Sequence, residues 1–226
     1  SNITIPLLGM VDTAIAGRLG SDAHIGAIAV GAAIFGFIYW NCSFLRMGTS
    51  GLTAQALGAR NLRECANLLV RAMAVALGIA WVLLAAQWPL GTFSIWVMQS
   101  GEGLKSLVAY YFFARIWAAP ATLSLYAIHG WFIGMQNSRL SMWLASFQNV
   151  VNIVFSLLFV YVFDMGIAGI AWGTVVSQYS GALLSFIFWF RYYGRFAKYI
   201  DWQDALKIKP MLRFFHVNKD IFLRTF

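Results

Sequence analysis

Few residues in this chain have types suited to chemistry, and the most telling is Asp12, inside "PLLGMVDTAIAGRLGS". The stretch is apolar and small enough to sit in lipid, yet it carries a carboxylate near its middle. An ionised Asp at a bilayer centre costs at least about 2.5–3.5 kcal/mol. Asp12 is therefore expected to face other helices or water. Burial disfavours the charged form, which suits such a group to taking up and releasing protons. On that reading Asp12 is a coupling-ion or proton site. The alternative is a carboxylate near the outer end of its helix, bonded to Thr13 or paired with Arg18.

Two polar clusters lie further along. In "FQNVVNIVFS", Asn149, Asn152 and Ser156 fall at i, i+3 and i+7 and share one helix face. In "WGTVVSQY", Thr174, Ser177 and Gln178 are grouped likewise. Such side chains can line a polar cavity or hold a small cation through oxygen. They can equally bond neighbouring helices, at about 0.6–2 kcal/mol each. Gly169, Gly173, Ser177 and Gly181 repeat every four residues, a small-residue stripe that permits close helix packing. His129 stands alone in its apolar run, as either a packing residue or a proton carrier.

Enzymatic patterns are missing. Arg46 precedes "MGTSGLTAQALGAR", read as a flexible, polar helix end, and this segment lacks the phosphate-loop spacing. No metalloprotease helix, paired-carboxylate motif or nucleophile elbow occurs. No catalytic residue is assigned, and an intramembrane enzyme using Asp12 with His129 has no motif behind it. Three His and two Cys, Cys42 and Cys65, show neither metal spacing nor a disulfide framework. No resident metal or cofactor is expected, and both thiols should be free.

The elements that must position these residues follow from composition. The 226 residues are 61% hydrophobic and 11% charged, with mean hydropathy +0.71. A soluble domain carries about 25% charged residues, so the bilayer is the expected solvent. Spans need about 20 apolar residues each. They are read at Ile25–Leu45, around Ala72–Trp88, at Ile116–Ser138, Leu140–Phe163 and Met165–Phe190, with Ser1–Gly17 a sixth, trimmed at its start. Neither a β-barrel alternation nor a soluble amphipathic stripe is present, so backbone satisfaction in lipid leaves helices. Pro6 and Gly9 could let the first of these bend.

The net charge of +8 is concentrated late in the chain. It points to a membrane surface rather than to nucleic acid. Arg60, Arg63, Arg139 and the basic residues after Phe190 fall on alternate loops, which the positive-inside rule makes cytoplasmic. Residues 1–190 are read as a transmembrane lobe. Residues 191–226 are read as a basic interfacial linker, broken at Pro210, leading to a second lobe beyond this chain.

The stretches "NITIPLLGMVDTAIAGRLGS", "IGAIAVGAAIFGF" and "FLRMGTSGLTAQALGARN" resemble the first helices of MATE multidrug and toxic-compound exporters, in the DinF-like branch. The tail "VNKDIFLRTF" resembles the approach to that branch's seventh helix. The resemblance implies an all-α integral membrane fold, the N-terminal six-helix lobe of a twelve-helix, two-lobe transporter. It implies export of cationic or amphipathic drugs in exchange for protons or sodium, from a bacterial inner membrane, by a monomer. It maps the family's first-helix acid onto Asp12, an Asn onto Asn152 and a Thr onto Thr174. A second acid of the family falls on Ser156, a departure. Sodium could be held at Asp12, Asn152 and Thr174, but with one charge only. One carboxylate suffices for a proton, so proton coupling is expected. His129, Asn149 and Gln178 would line the substrate cavity. A lipid-linked oligosaccharide flippase is the alternative transporter; it would need basic residues such as Arg46 and Arg115 facing the cavity.

Overall fold

The computed structural model describes residues 22–97 and 102–225. Asp12, Pro6 and Gly9 lie outside the described residues. The described chain is helical, without strands. Its helices are α1 (Asp22–Asn41), α2 (Phe44–Gly58), α3 (Leu62–Ala85), α4 (Gln87–Val97) and α5 (Glu102–Arg115). A tight turn, Ile116–Ala118, leads into α6 (Ala119–Gly134). Then come α7 (Ser138–Leu157), α8 (Gly166–Tyr193), α9 (Trp202–Ala205) and α10 (Ile208–Thr225).

Among the described residues, four helical runs are long and apolar enough to cross a bilayer: His24–Gly58, Leu62–Ala85, Ser138–Val162 and Gly166–Tyr199. These answer to four of the six expected spans, and the first expected span lies outside the description. The expected span at Ile116–Ser138 is shorter, 16 residues in α6, because the tight turn before Pro120 separates it from α5. The span expected around Ala72–Trp88 stops at Ala85, and Trp88 belongs to α4, which starts at Gln87 and has Pro89 in its first turn, where it needs no amide partner.

What these helices bury is the reverse of a soluble protein. Asn152 and Ser156 on α7 are 1% and 0% exposed, while Val150 and Val154 of the same helix are 60% and 53% exposed. Trp81, Trp88, Trp96, Trp143 and Phe190 are also exposed. Apolar surface on this scale requires lipid around it, and a helix satisfies its own backbone there.

The chain divides into two compact units. The first holds residues 1–38, 81–119 and 145–181; the second holds 39–80, 120–144 and 182–226. Among the described residues, every Lys and Arg except Lys105 and Arg115 belongs to the second unit.

In the second unit, Leu125, Ile128, Trp131, Phe132, Leu144 and Trp189 belong to a shared apolar core. Trp131 Nε1 donates to the Cys65 carbonyl at 2.7 Å, so its one polar atom is satisfied inside that core. Cys42 and Cys65 are free and buried. The segment Met47–Gly58 is not a flexible end: it is regular helix with Thr49 and Thr53 fully buried. Close packing explains Gly48 in this segment and two glycines of α6 that pack on α2. A Cβ on Gly48 would strike the Asn218 side-chain amide of α10, one on Gly130 the Arg46 backbone, and one on Gly134 the Ser50 carbonyl at 2.7 Å.

Two loops of this unit close alike. After α2, Arg60 N–H donates to Leu57 and Asn61 N–H to Ala56, both at 2.9 Å. After α6, Gln136 N–H donates to Ile133 and Asn137 N–H to Phe132, also at 2.9 Å. Both are Schellman closures, with Arg60 (φ 56) and Gln136 (φ 61) in the left-handed position usually given to glycine.

The basic segment after α8 is fastened to α3. Arg71, 2% exposed, pairs with Glu64 at 2.5 Å and donates Nε to the Ala205 carbonyl at 2.9 Å. Asn67 accepts from the Asp201 amide at 3.0 Å. Asp201 caps α9 by accepting from the Asp204 amide, also at 3.0 Å, and pairs with Arg63. Those bonds hold the Asp201 carboxyl below the usual carboxylate range, the Asp204 amide first and Arg63 next. Pro210 lies in the first turn of α10 and so begins a helix, the chain having already broken at Leu206–Lys207.

Candidate functional site

The small-residue stripe brings α7 and α8 together within the first unit. A Cβ on Gly173 would meet Ser156 at its Oγ, at its N (2.8 Å) and at its Cα (2.9 Å). A Cβ on Gly169 would lie 3.0 Å from the Phe159 carbonyl carbon, and one on Gly181 2.5 Å from Gln148 Cγ. Glycine is required at Gly173 because the neighbour is backbone, which cannot rotate away. Three glycines on the four-residue stripe, which Ser177 completes, thus place the polar face of α7 directly against α8.

Asn152, Ser156 and Thr174 meet at that contact. Thr174 Oγ1 donates to the Ile170 carbonyl at 3.1 Å, so its proton is committed. It must therefore accept from Asn152, whose Nδ2 lies 3.0 Å away. That fixes the orientation of the amide. Asn152 Oδ1 then points elsewhere, buried and without a partner, and Ser156 Oγ is buried and unpartnered one helical turn on. Two oxygens able to accept hydrogen bonds are thus left unmet in a buried site, a costly arrangement that calls for a ligand or a further side chain.

The remaining expected site residues are distributed around this centre or apart from it. Gln178, half-buried, accepts from Gln148 Nε2 at 3.1 Å, and Asn149 is half-buried on the same helix as Asn152. His129 belongs to the second unit, half-buried, where its carbonyl accepts from Ser141 Oγ at 3.5 Å. The structure therefore groups Asn152, Ser156 and Thr174, and assigns His129 to a different unit. Asp12 lies outside the described residues, as does Arg18.

Arg115 has local partners. Its guanidinium bonds Tyr111 Oη and lies 5.3 Å from the Phe35 ring centroid. Tyr111 in turn packs where a Cβ on Gly31 would sit. Arg46 is exposed. Sequence reasoning missed the Gln148–Gln178 bridge and the Arg71–Glu64 pair. The first was visible only as two amides in separate spans. The second follows the i, i+7 spacing of one helix face, which could have been read.

Comparison with known proteins places this arrangement. The family model MatE matches residues 1–158. The DNA damage-inducible protein F of Escherichia coli K12 is 35% identical over 187 residues, 83% of this chain and 41% of that protein. A probable multidrug resistance protein NorM of Neisseria meningitidis is 26% identical over 207 residues, 86% of this chain and 45% of its own length. Among solved structures, a MOP superfamily transporter from Pyrococcus furiosus superposes with TM-score 0.84 at 20% identity, over 97% of this chain and 48% of that one. An outward-facing multidrug resistance MATE family transporter gives TM-score 0.82 at 20% identity, over 93% and 46%. This chain thus spans just under half the length of each of these relatives.

Proposed function

Because the chain belongs to the MatE family, whose members are transporters and not enzymes, we propose that it forms the N-terminal lobe of a drug/proton antiporter. Its cargo would be cationic or amphipathic compounds, and its setting the inner membrane of a bacterium. The basic second unit would face the cytoplasm, following the positive-inside rule. A second lobe would complete the cavity, and the whole would act as a monomer.

The observation that carries the reading is the pair of unmet acceptors, Asn152 Oδ1 and Ser156 Oγ, at the α7–α8 contact. On this reading protonated Asp12 would supply a donor to these oxygens. Ionised Asp12 is the counter-charge that a cationic drug seeks. One carboxylate therefore binds either a proton or cargo, and competition between them couples the two fluxes. With the cavity open outward, protonation of Asp12 weakens its hold on the drug, which leaves. With the cavity open inward, Asp12 loses its proton to the cytoplasm and attracts new cargo.

Proton coupling is favoured over sodium by the ligand count. Thr174 donates to Ile170 and accepts from Asn152, so among the described residues a cation at this contact would find only Asn152 Oδ1 and Ser156 Oγ fully free. Sodium is a hard cation that wants more oxygens and charge compensation. The flippase alternative loses support because Arg115 is engaged with Tyr111 and Phe35.

The test is drug efflux driven by an imposed proton gradient in proteoliposomes of the full transporter. Asp12→Asn should abolish gradient-driven export while leaving the protein folded. Undiminished export in that variant would remove the mechanism.

A further inference from the structure

The second unit carries an apolar groove of about 560 Å³ between α3, α6, α8 and the segment that follows α8. Met73, Ala74, Leu77, Phe186, Trp189 and Phe190 are among the residues that line it. Trp189 is 6% exposed, and its indole Nε1–H is buried with no acceptor. A buried donor left unmet is costly, and a ligand oxygen would remove that cost.

The groove runs into a polar hollow of about 480 Å³ lined by Arg63, Lys198, Tyr199 and Asp201. Ile200 and Trp202 line both. Arg63 is matched by Asp201. Lys198 is exposed; its ammonium lies 4.9 Å from the Tyr199 ring centroid and has no carboxylate partner among the described residues. Trp202, 64% exposed, sits where hollow and groove join, with the amphipathic ring typical of a membrane–water boundary.

We propose that the two hollows form a binding site for an anionic phospholipid. The acyl chain fills the groove, an ester carbonyl accepts from Trp189 Nε1, and the phosphate faces the Lys198 ammonium. The chemistry selects this occupant. A cationic drug would be repelled by Lys198, and a zwitterionic lipid would bring its own cation to an already positive site. The site is separate from the antiport reading and uses none of its residues.

The experiment takes the full chain, delipidated in detergent, and titrates it with phosphatidylglycerol or phosphatidylcholine carrying brominated acyl chains. Bound lipid is counted by native mass spectrometry, and tryptophan quenching reports where the chains lie. Wild-type protein should bind phosphatidylglycerol the more tightly of the two. Lys198→Gln should weaken phosphatidylglycerol about fivefold, the equivalent of about 1 kcal/mol per basic side chain at an anionic surface, and leave phosphatidylcholine unchanged. Ala74→Phe, which fills the groove, should remove the quenching by both lipids. Trp189→Phe, which keeps an aromatic ring, though a smaller one, and loses the donor, should weaken binding of both lipids as counted by native mass spectrometry.

Equal binding of the two lipids by wild-type protein would overturn the proposal. So would an unchanged phosphatidylglycerol affinity in Lys198→Gln, whose side chain is at the surface and whose loss leaves the core intact. Full quenching in a folded Ala74→Phe would also overturn it, by showing that the lipid is an annular shell and not a groove occupant.

Discussion

Replacing Gly173 with Ala asks whether the α7–α8 contact builds the site. The new Cβ would lie 2.8 Å from Ser156 N and 2.9 Å from its Cα. Non-bonded carbon contacts settle near 3.5–4.0 Å, so the helices must part by about 0.7 Å. The Asn152–Thr174 hydrogen bond, 3.0 Å as it stands, then stretches to about 3.7 Å, past useful range. Overpacking of this kind costs about 1–3 kcal/mol, against which Ala regains about 1 kcal/mol of helix propensity. The net effect is a modest destabilisation with a large loss of site geometry. Gly78 on α3 is the control, since nothing lies within 4 Å of a Cβ built there. Gly78→Ala should therefore stabilise by up to about 1 kcal/mol. The assay is thermal unfolding in detergent together with gradient-driven drug efflux in proteoliposomes. Gly173→Ala should melt earlier and lose most of its transport, while Gly78→Ala should melt later and keep it. If Gly173→Ala gained the same stability as Gly78→Ala and transported normally, the close helix contact would not be what positions Asn152 and Thr174.

Three further outcomes follow from other parts of the structure. Ser156→Asp adds a second carboxylate beside Asn152 and should give drug efflux a dependence on sodium, measured by exchanging sodium for potassium buffers. Gln136→Gly relieves a left-handed residue at the end of α6 (φ 61) and should stabilise by about 1 kcal/mol, read from the same melts. Asp201 has a carboxyl held below its usual range by the Asp204 amide and Arg63. A depressed folded-state value means that its contribution is present above the ordinary carboxylate pKa and fades as pH falls through the lower folded value. Protection of the Asp204 amide in hydrogen exchange should therefore weaken on acidification below about pH 4, and Asp201→Asn should flatten that dependence.

The bilayer character of this chain was legible because lipid inverts the usual pattern, and long charge-free runs need no context to be read. The Asn152–Ser156 face and the glycine stripe were likewise visible as spacings. That the stripe packs on the same face which carries Asn152 and Ser156 was not, because spacing on one helix does not name the partner helix. Nor could sequence show that Thr174 directs the Asn152 amide, which depends on the Thr174 hydroxyl turning to Ile170. The Met47–Gly58 segment misled for a physical reason. Its glycines and threonines read as a loosened end, yet Gly48, Thr49 and Thr53 are buried in regular helix, and Thr49 caps its own polarity by donating to Leu45 at 2.6 Å. The fastening of the segment after α8 depends on Arg71, which sits seven residues from Glu64 inside an apolar helix. Its partner carbonyl at Ala205 is 134 residues away, beyond any local pattern.

The most direct measurement is proton release on drug binding, followed with a pH-sensitive dye in weakly buffered detergent solution of the full transporter. Linkage between drug and proton at Asp12 predicts release of about one proton per cationic drug bound, largest where Asp12 begins protonated, and no release from Asp12→Asn. Proton release from Asp12→Asn equal to that of the wild type would contradict the account.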